Sequence, residues 1–423
     1  MTPWGDSESL REKRLSPGPG ITREEVELNH RERLYGATVA VTASKGYAET
    51  TVTDVIRVAG VSPSTFYKYF ADKEACFLAT LEVLVTGIVA MTASRLRRGE
   101  GWEERAQEGM KRFMELLATQ PDAARVCVIE AEAAGPKAAA IVDRAVVEFE
   151  AMIRAVFDEL PDQQGMPAEM VTAMVGAVRK IMETRLHRHE ESALLEMVPQ
   201  LVELALTYRP PPKPLPDRPR RKVASSPAAR GVDEPAERIE TAMMAVVAKK
   251  GYAEATLAEI AAEAGVSLRT FYATFAGKAE AFEATLLRAR LRMAAAVIPA
   301  YKRTSSWPEA VWALTYAGLA FFETEPSFAR LITVDIYSAG REALEGRDRV
   351  IESARHFVET GLLAAAMDNP AAAEAIQSGL YAVLSERVRS KRRRNLRGLA
   401  PLMIYMTLVP SLGPEEAYRW AKR

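Results

Sequence analysis

Residues 46–74 read GYAETTVTDVIRVAGVSPSTFYKYFADKE, and residues 251–279 read GYAEATLAEIAAEAGVSLRTFYATFAGKA. Both stretches describe two short helices around a glycine turn. Thr51 is placed as an N-cap with Asp54 three residues on, close to a capping box; Thr256 with Glu259 has the full form. The helix that follows presents Val52, Val55 and Ala59 on one face, matched by Leu257, Ile260 and Ala264. It stops at Gly60 (Gly265 in the second stretch), where glycine alone reaches a left-handed conformation cheaply. Ser62 then caps a second helix, with Pro63 at its first position. Val61 and Phe66 are spaced for a hydrophobic staple around that cap, and Val266 and Phe271 repeat it around Ser267. Phe66 and Phe70, four apart, face inward, so Ser64, Thr65, Tyr67 and Lys68 point outward.

Working outward, the two stretches belong to a duplication of far greater extent. About half of the positions from 46 to 81 are identical between copies. Weaker matches continue: Ala124-Arg125-Val126 with Ala329-Arg330-Leu331, Gly135 with Gly340, Arg144 with Arg349, Gly176 with Gly379, Glu183 with Glu386 and Pro199 with Pro401. A period of this size means that a complete two-part unit was copied, not a short solenoid repeat. Between the copies lies Arg209-Pro-Pro-Pro-Lys-Pro-Leu-Pro and a Ser/Ala/Gly-containing remainder, the composition of an interdomain linker. Its Arg220-Arg221-Lys222 reads as solvated. Elsewhere apolar residues recur at three- and four-residue spacing, as in Leu34, Ala37, Val41 and Ile239, Ala242, Val246, with no sustained alternation; the expected fold is all-α. The expected division is a disordered tail over 1–21, a first helix-turn-helix domain over 22–78, a first helical effector and dimerisation domain over 79–208, and the linker over 209–234. A second helix-turn-helix domain over 235–283 and a second effector domain over 284–423 follow.

Composition removes several alternatives. Net charge is +0, so a nucleic-acid-binding surface has to be a local basic patch balanced elsewhere. The two cysteines, Cys76 and Cys127, sit in apolar helical patterns and form no CxxC, which reads as core residues in a reducing compartment. No secretory signal opens the chain, and no run of 18 or more consecutive apolar residues suggests a membrane span, so a cytoplasmic location is expected. No Ser/His/Asp order, phosphate-binding glycine loop or metal-ligand cluster stands out; His187 and His189 lie two apart on a helix and face away from each other. The expectation is therefore no enzyme, no cofactor and no metal.

Gly46-x4-Thr51-Val52-x2-Val55, then Ala59-Gly60-Val61-Ser62-x2-Thr65-Phe66-Tyr67-x-Tyr69-Phe70-x2-Lys73-Glu74, resembles the signature of the TetR family of transcriptional regulators, and it occurs twice. The resemblance covers the first three helices and the start of the fourth in each copy. It implies that the helix from Ser62 enters the major groove of double-stranded DNA, with Thr51, Tyr67 and Lys73 on phosphates, Ser64, Thr65 and Lys68 near base edges, and Tyr69 beside them. In the second copy it implies Thr256, Tyr272 and Lys278 on phosphates, and Arg269, Thr270 and Ala273 near bases, behind the cap Ser267. That copy departs from the signature where Tyr69 becomes Thr274, Asp72 becomes Gly277 and Glu74 becomes Ala279, which weakens the start of its fourth helix.

The resemblance further implies a repressor released by a small-molecule effector held between helices. Of the aromatic residues in the second effector half, Trp312, Tyr316, Phe322 and Tyr337 are the candidate pocket. The basic run Lys391-Arg392-Arg393-Arg394 reads as a solvated helix end. Such regulators work as homodimers; two units in one chain suggest an internal pseudo-dimer, the alternative being that only the first module binds DNA and the second half serves dimerisation or sensing.

Overall fold

The computed structural model describes residues 14–16, 18–96, 101–216, 234–252, 254–338, 341–365, 367–390 and 395–423. Most of the expected tail, most of the linker, Gly340 and the Lys391–Arg394 run lie outside the described residues. Among the described residues there is no strand, as an all-α chain requires. The first copy runs through α1 (Arg23–Lys45), α2 (Val52–Ala59), α3 (Pro63–Tyr69), α4 (Lys73–Leu96), α5 (Trp102–Thr119) and α6 (Pro121–Arg125). A π-helical turn at Val126–Glu130 leads to α7 (Ala131–Ala133), α8 (Pro136–Asp158), α9 (Ala168–Arg188), α10 (Ala193–Glu196) and α11 (Val198–Thr207). The second copy has α12 (Pro235–Lys250), α13 (Leu257–Ala264), α14 (Leu268–Thr274), α15 (Lys278–Tyr301), α16 (Trp307–Thr324) and α17 (Pro326–Thr333). After a 3₁₀ turn at Asp335–Ser338 come α18 (Arg341–Ala364), α19 (Ala372–Arg389) and α20 (Ala400–Ala421).

Two compact units result. One holds Met1–Pro161 with Arg179–Glu203; the other holds Asp162–Val178 with Leu204–Arg423. Residues 162–178, written in the first copy, are therefore packed with the second unit, which an effector domain over 79–208 did not anticipate. The domain boundaries drawn at 78/79 and 283/284 fall inside α4 and α15, because each of these helices carries on without a break past the motif. By length and composition alone, residues 73–94 of α4 could cross a bilayer, although Glu82 interrupts the apolar run. Here the helix packs against α1, α5 and α8, and Cys76, Phe77, Leu81 and Leu84 are buried. Both cysteines are buried and unpaired, as small core residues.

Within the second unit the segment 162–178 is held by backbone chemistry and by small residues. Gln163 donates from Nε2 to the carbonyls of Ala205 (3.2 Å), Leu206 (3.3 Å) and Tyr208 (3.1 Å), satisfying the carbonyl end of α11. The Tyr208 hydroxyl donates to Met406 O (3.2 Å) and the Tyr405 hydroxyl to Arg209 O (2.9 Å), which ties the start of the expected linker to α20. Helix α9 approaches α19 where neither has a side chain in the way. A Cβ on Gly176 would lie 2.3 Å from Ala382 Cβ, and a Cβ on Gly379 would lie 3.0 Å from Ala173 O. Glycine costs about 1 kcal/mol in a helix interior, so its presence at both positions is repaid by the close approach.

Gly176→Val is expected to force α9 off α19 and lower the denaturant midpoint, whereas Gly87→Ala, in a helix position with open space around it, is expected to be neutral or stabilising. Equal midpoints for the two variants in urea melts would contradict this packing.

Candidate nucleic-acid interface

Each helix-turn-helix is assembled from local rules that the structure satisfies twice. Thr51 accepts the Asp54 N–H (3.2 Å) while its own N–H reaches Asp54 Oδ2 (3.1 Å), a complete capping box in which aspartate serves as well as glutamate. Thr256 and Glu259 form the same box. Gly60 (φ 62°, ψ 39°) and Gly265 (φ 63°, ψ 36°) are left-handed and end α2 and α13. Ser62 accepts from Thr65 N (3.1 Å) and Ser267 from Thr270 N (3.0 Å), starting α3 and α14. Phe66 is fully buried among Leu34, Ala37, Val55, Ala59, Phe70 and Cys76, with Val61 against the same cluster; Phe271 is buried likewise. Burying such a ring contributes about 1.5–3 kcal/mol, enough to fix which face of a two-turn helix is left to solvent.

That outer face carries the residues singled out in the sequence. Tyr67 and Tyr272 are 59% and 57% exposed, an unusual placement for a tyrosine repeated at the same register. Ser62, Ser64, Lys68, Ser267, Arg269 and Ala273 are exposed, and Thr65 and Thr270 half-buried. Other expected contacts are engaged within the fold. The Thr51 hydroxyl donates to Asp54 Oδ2 (2.6 Å). Tyr69 turns towards α1, its hydroxyl 3.4 Å from His30 Nδ1. Lys73 donates from Nζ to Tyr47 O (2.9 Å) and sits 4.3 Å from the Tyr47 ring centre; Lys278 repeats this on Tyr252 O (3.0 Å) and its ring (4.4 Å). Burial lowers the pKa of both lysines. The weakened start of the second copy's fourth helix is visible as well. Asp72 caps α4 by accepting Ala75 N (2.8 Å), whereas Gly277 offers no side-chain cap to α15.

Two features escaped the sequence reading. The first is an arginine clamp. Arg33, 1% exposed, donates from Nη2 to the Ala59 (2.5 Å) and Gly60 (2.7 Å) carbonyls that end α2; Arg238 meets the matching carbonyls from Nε to Ala264 (2.9 Å) and from Nη2 to Gly265 (2.6 Å). The only sequence signal was an arginine at the same register in both copies. The second is a joint to the rest of the first unit. Glu130, on the π-helical turn, accepts the Tyr47 N–H (2.7 Å), so the Tyr47 backbone is held through its N–H by Glu130 and through its carbonyl by Lys73. Burial pushes the Glu130 carboxyl up. In the second copy a buried acid again lies under the corner: Asp335 is 3.8 Å from where a Cβ on Gly251 would be, and Arg330 pairs with it (3.1 Å).

Of the candidate pocket residues, Phe322 is core, stacked on Phe328 at 6.0 Å, while Trp312 and Tyr316 are half-buried with rings 4.9 Å apart. Nε1 of Trp307 and of Trp312 is buried without a hydrogen-bond partner. The Tyr337 side chain lies outside what is described. Among the described residues no cluster of metal-ligating side chains occurs.

Residues 34–80 and 239–285 each match the model of a family described as bacterial regulatory proteins, tetR family. Among solved structures, the fatty acid degradation regulator FadR from Bacillus halodurans is similar at 18% identity over 41% of this chain and 97% of its own, with a TM-score of 0.38. FadR from Bacillus subtilis, solved in complex with stearoyl-CoA, is similar at 17% identity over 41% and 95%, TM-score 0.37. NemR of E. coli, in its reduced form, is similar at 15% identity over 41% and 95%, TM-score 0.34.

The clamp and the cap each yield a measurement. Arg33→Met leaves the buried Ala59 carbonyl and the part-buried Gly60 carbonyl without their charged donor and is expected to cost about 2 kcal/mol in chemical denaturation, with Arg238→Met, at a half-exposed site, costing less; equal small losses would show that the clamp is idle. The Asp54 carboxyl is held down to about 2 by Lys45 and Thr51. A depressed acid stabilises the fold above its unfolded pKa, so this contribution is expected intact at neutral pH and lost as pH falls from about 4 through about 2. NMR titration of the Asp54 carboxyl carbon checks it, a midpoint near 4 being the contrary result.

Proposed function

Because the chain is a tandem TetR-like protein, we propose that it acts as a single-chain pseudo-dimer, a repressor that sets both helix-turn-helix modules on one DNA site and leaves it when a small molecule binds. The observation that carries the DNA-binding part is the outer face of α3 and α14: a capped two-turn helix, anchored by a buried phenylalanine, with an exposed tyrosine at the same place in each copy. In this reading Tyr67 and Tyr272 donate to phosphates, Lys73 and Lys278 add charge at the start of the following helix, and Ser64, Thr65, Lys68, Arg269 and Thr270 face the bases. Thr51 and Thr256 approach phosphate through the first turn of their helices, and Tyr69 shapes the α1 side of the face.

Pseudo-dimer use is supported by the packing of residues 162–178 with the second unit and by glycine at the matched positions 176 and 379, where α9 and α19 approach. A tether raises the effective concentration of the second module into the millimolar range once the first is bound. Ligand release is supported by the joint at Tyr47. A shift of the π-helical turn that carries Glu130 would move the Tyr47 peptide, and with it the corner from which α2 starts. The aromatic surface around Trp312 and Tyr316, with the two partnerless indole N–H groups of Trp307 and Trp312, suits a mostly apolar effector bearing hydrogen-bond acceptors.

The test is binding of the full chain to DNA over a salt series, with the mass of the complex measured alongside. Expected is one chain per site, with the two modules about 34–36 Å apart or a multiple of that. Lys73→Ala is expected to flatten the slope of log K against log[salt] by about one unit and to weaken all sequences alike. An unchanged affinity and slope would refute the phosphate assignment, and a complex requiring two chains would refute the pseudo-dimer.

A further inference from the structure

The two recognition faces are built alike but do not offer DNA the same groups. On α3 the polar side chains assigned to the bases, Ser64, Thr65 and Lys68, are already bound to their own fold. Ser64 Oγ is 2.8 Å from Ser62 Oγ, which is in turn 2.8 Å from Thr65 Oγ1. Lys68 donates from Nζ to Glu27 Oε1 at 2.7 Å, and this hydrogen bond is the main reason the Glu27 carboxyl is held below its usual range. Glu27 belongs to residues 23–29, which lengthen α1 beyond its counterpart: α12 begins at Pro235, which aligns with His30. The residue aligned with Glu27 is Val232, so the second copy has no carboxylate at that position of the sequence.

On α14 the polarity is reversed. Arg269 occupies the place of Ser64, is exposed, and has no hydrogen bond or ion pair among the described residues. Ala273 occupies the place of Lys68 and is exposed. One face thus presents a lysine paired with a carboxylate that also holds Arg23, and the other a guanidinium with no partner among the described residues. A guanidinium fork matches the O6 and N7 acceptors of guanine in the major groove, and a short serine hydroxyl does not.

We infer that the chain recognises a DNA site with two unlike half-sites, in which Arg269 selects a guanine on one side while Glu27 restrains Lys68 on the other. The inference rests on the reading of both modules as groove-binding and specifies what each of them reads. A homodimer presents two copies of one recognition helix and is confined to a palindrome; a duplicated chain is not, and here Ser64 has become Arg269 and Lys68 has become Ala273 on the outward face, while the buried phenylalanines, the turn glycine and the serine cap are the same in both copies.

The experiment is selection of bound sequences from a random double-stranded library by the full-length wild type, Arg269→Ala and Glu27→Gln, followed by affinity measurements over a salt series. For the wild type, a consensus of two unlike halves with an invariant guanine in one of them is expected. Arg269→Ala is expected to lose the preference at that position alone, to bind the wild-type site about tenfold or more weakly, and to bind a site lacking that guanine as the wild type does. A residue that only met phosphate would weaken every sequence equally and leave the consensus intact, which overturns the proposal. Glu27→Gln is expected to release Lys68, raise affinity several-fold, and steepen the salt slope by about one unit without altering the guanine position; an unchanged slope overturns the role given to Glu27. A symmetric consensus overturns the unlike half-sites. If no sequence is enriched and nothing is retained at low salt, the regulator reading itself falls and the inference falls with it. Arg269 is exposed and Glu27 half-buried, and circular dichroism of each variant distinguishes a change in reading from a change in fold.

Discussion

The direction of each recognition helix depends on one peptide corner, the left-handed glycine at 60 and at 265. A β-carbon there would strain the backbone whatever space surrounds it, and the left-handed turn is what ends α2 and α13 and redirects the chain into α3 and α14. The corner is secured from three sides. The serine cap two residues on fixes where the next helix begins, the phenylalanine fixes its rotation, and the arginine from the first helix closes on the carbonyls that α2 leaves unpaired. The phenylalanine contributes through area removed from water. The arginine contributes through orientation, its planar guanidinium meeting two successive carbonyls at the end of the helix.

From that corner a chain of contacts runs inward. The threonine cap of α2 follows directly on the Gly46–Thr50 turn, and the turn hangs on the Tyr47 peptide between Glu130 and Lys73. Helix α4 carries Lys73 at its first position and packs against α1, α5 and α8, so the same helix that steadies the turn also enters the helical core of its unit. The second copy keeps the lysine, the tyrosine and a buried acid but changes their details, with aspartate for glutamate, a 3₁₀ turn in place of the π-helical one, and a glycine where α4 has its aspartate cap.

The all-α class, the caps, the glycine corner and the buried phenylalanines were legible in the sequence because each follows from neighbours within four residues. The exposed face of α3 and α14 followed by subtraction. What was not legible is set by contacts distant in the chain. Arg33 reaches carbonyls 26 and 27 residues away, Lys68 finds Glu27 across 41, and Tyr47 meets Glu130 across 83. For the same reason Lys73, read as an outward charge, is half-withdrawn onto the Tyr47 carbonyl, and Tyr69 turns to His30. The repeat itself held an unused clue, since Arg33 and Arg238 are polar residues preserved on an otherwise apolar face. The assignment of residues 162–178 to the second unit had no local signature beyond Gly176, a small residue whose purpose appears only once Ala382 is beside it.

The close approach of α9 to α19 at Gly176 has one more consequence. Both helices are translated from one message and remain covalently joined, so their meeting is a first-order event that dilution leaves unchanged. For a regulator assembled from separate subunits, the fraction of paired molecules falls as copy number falls, and occupancy of the promoter falls more steeply than abundance. In the proposed pseudo-dimer the pairing surface is internal, and occupancy would scale linearly with the number of chains, without the extra amplification that dimerisation adds.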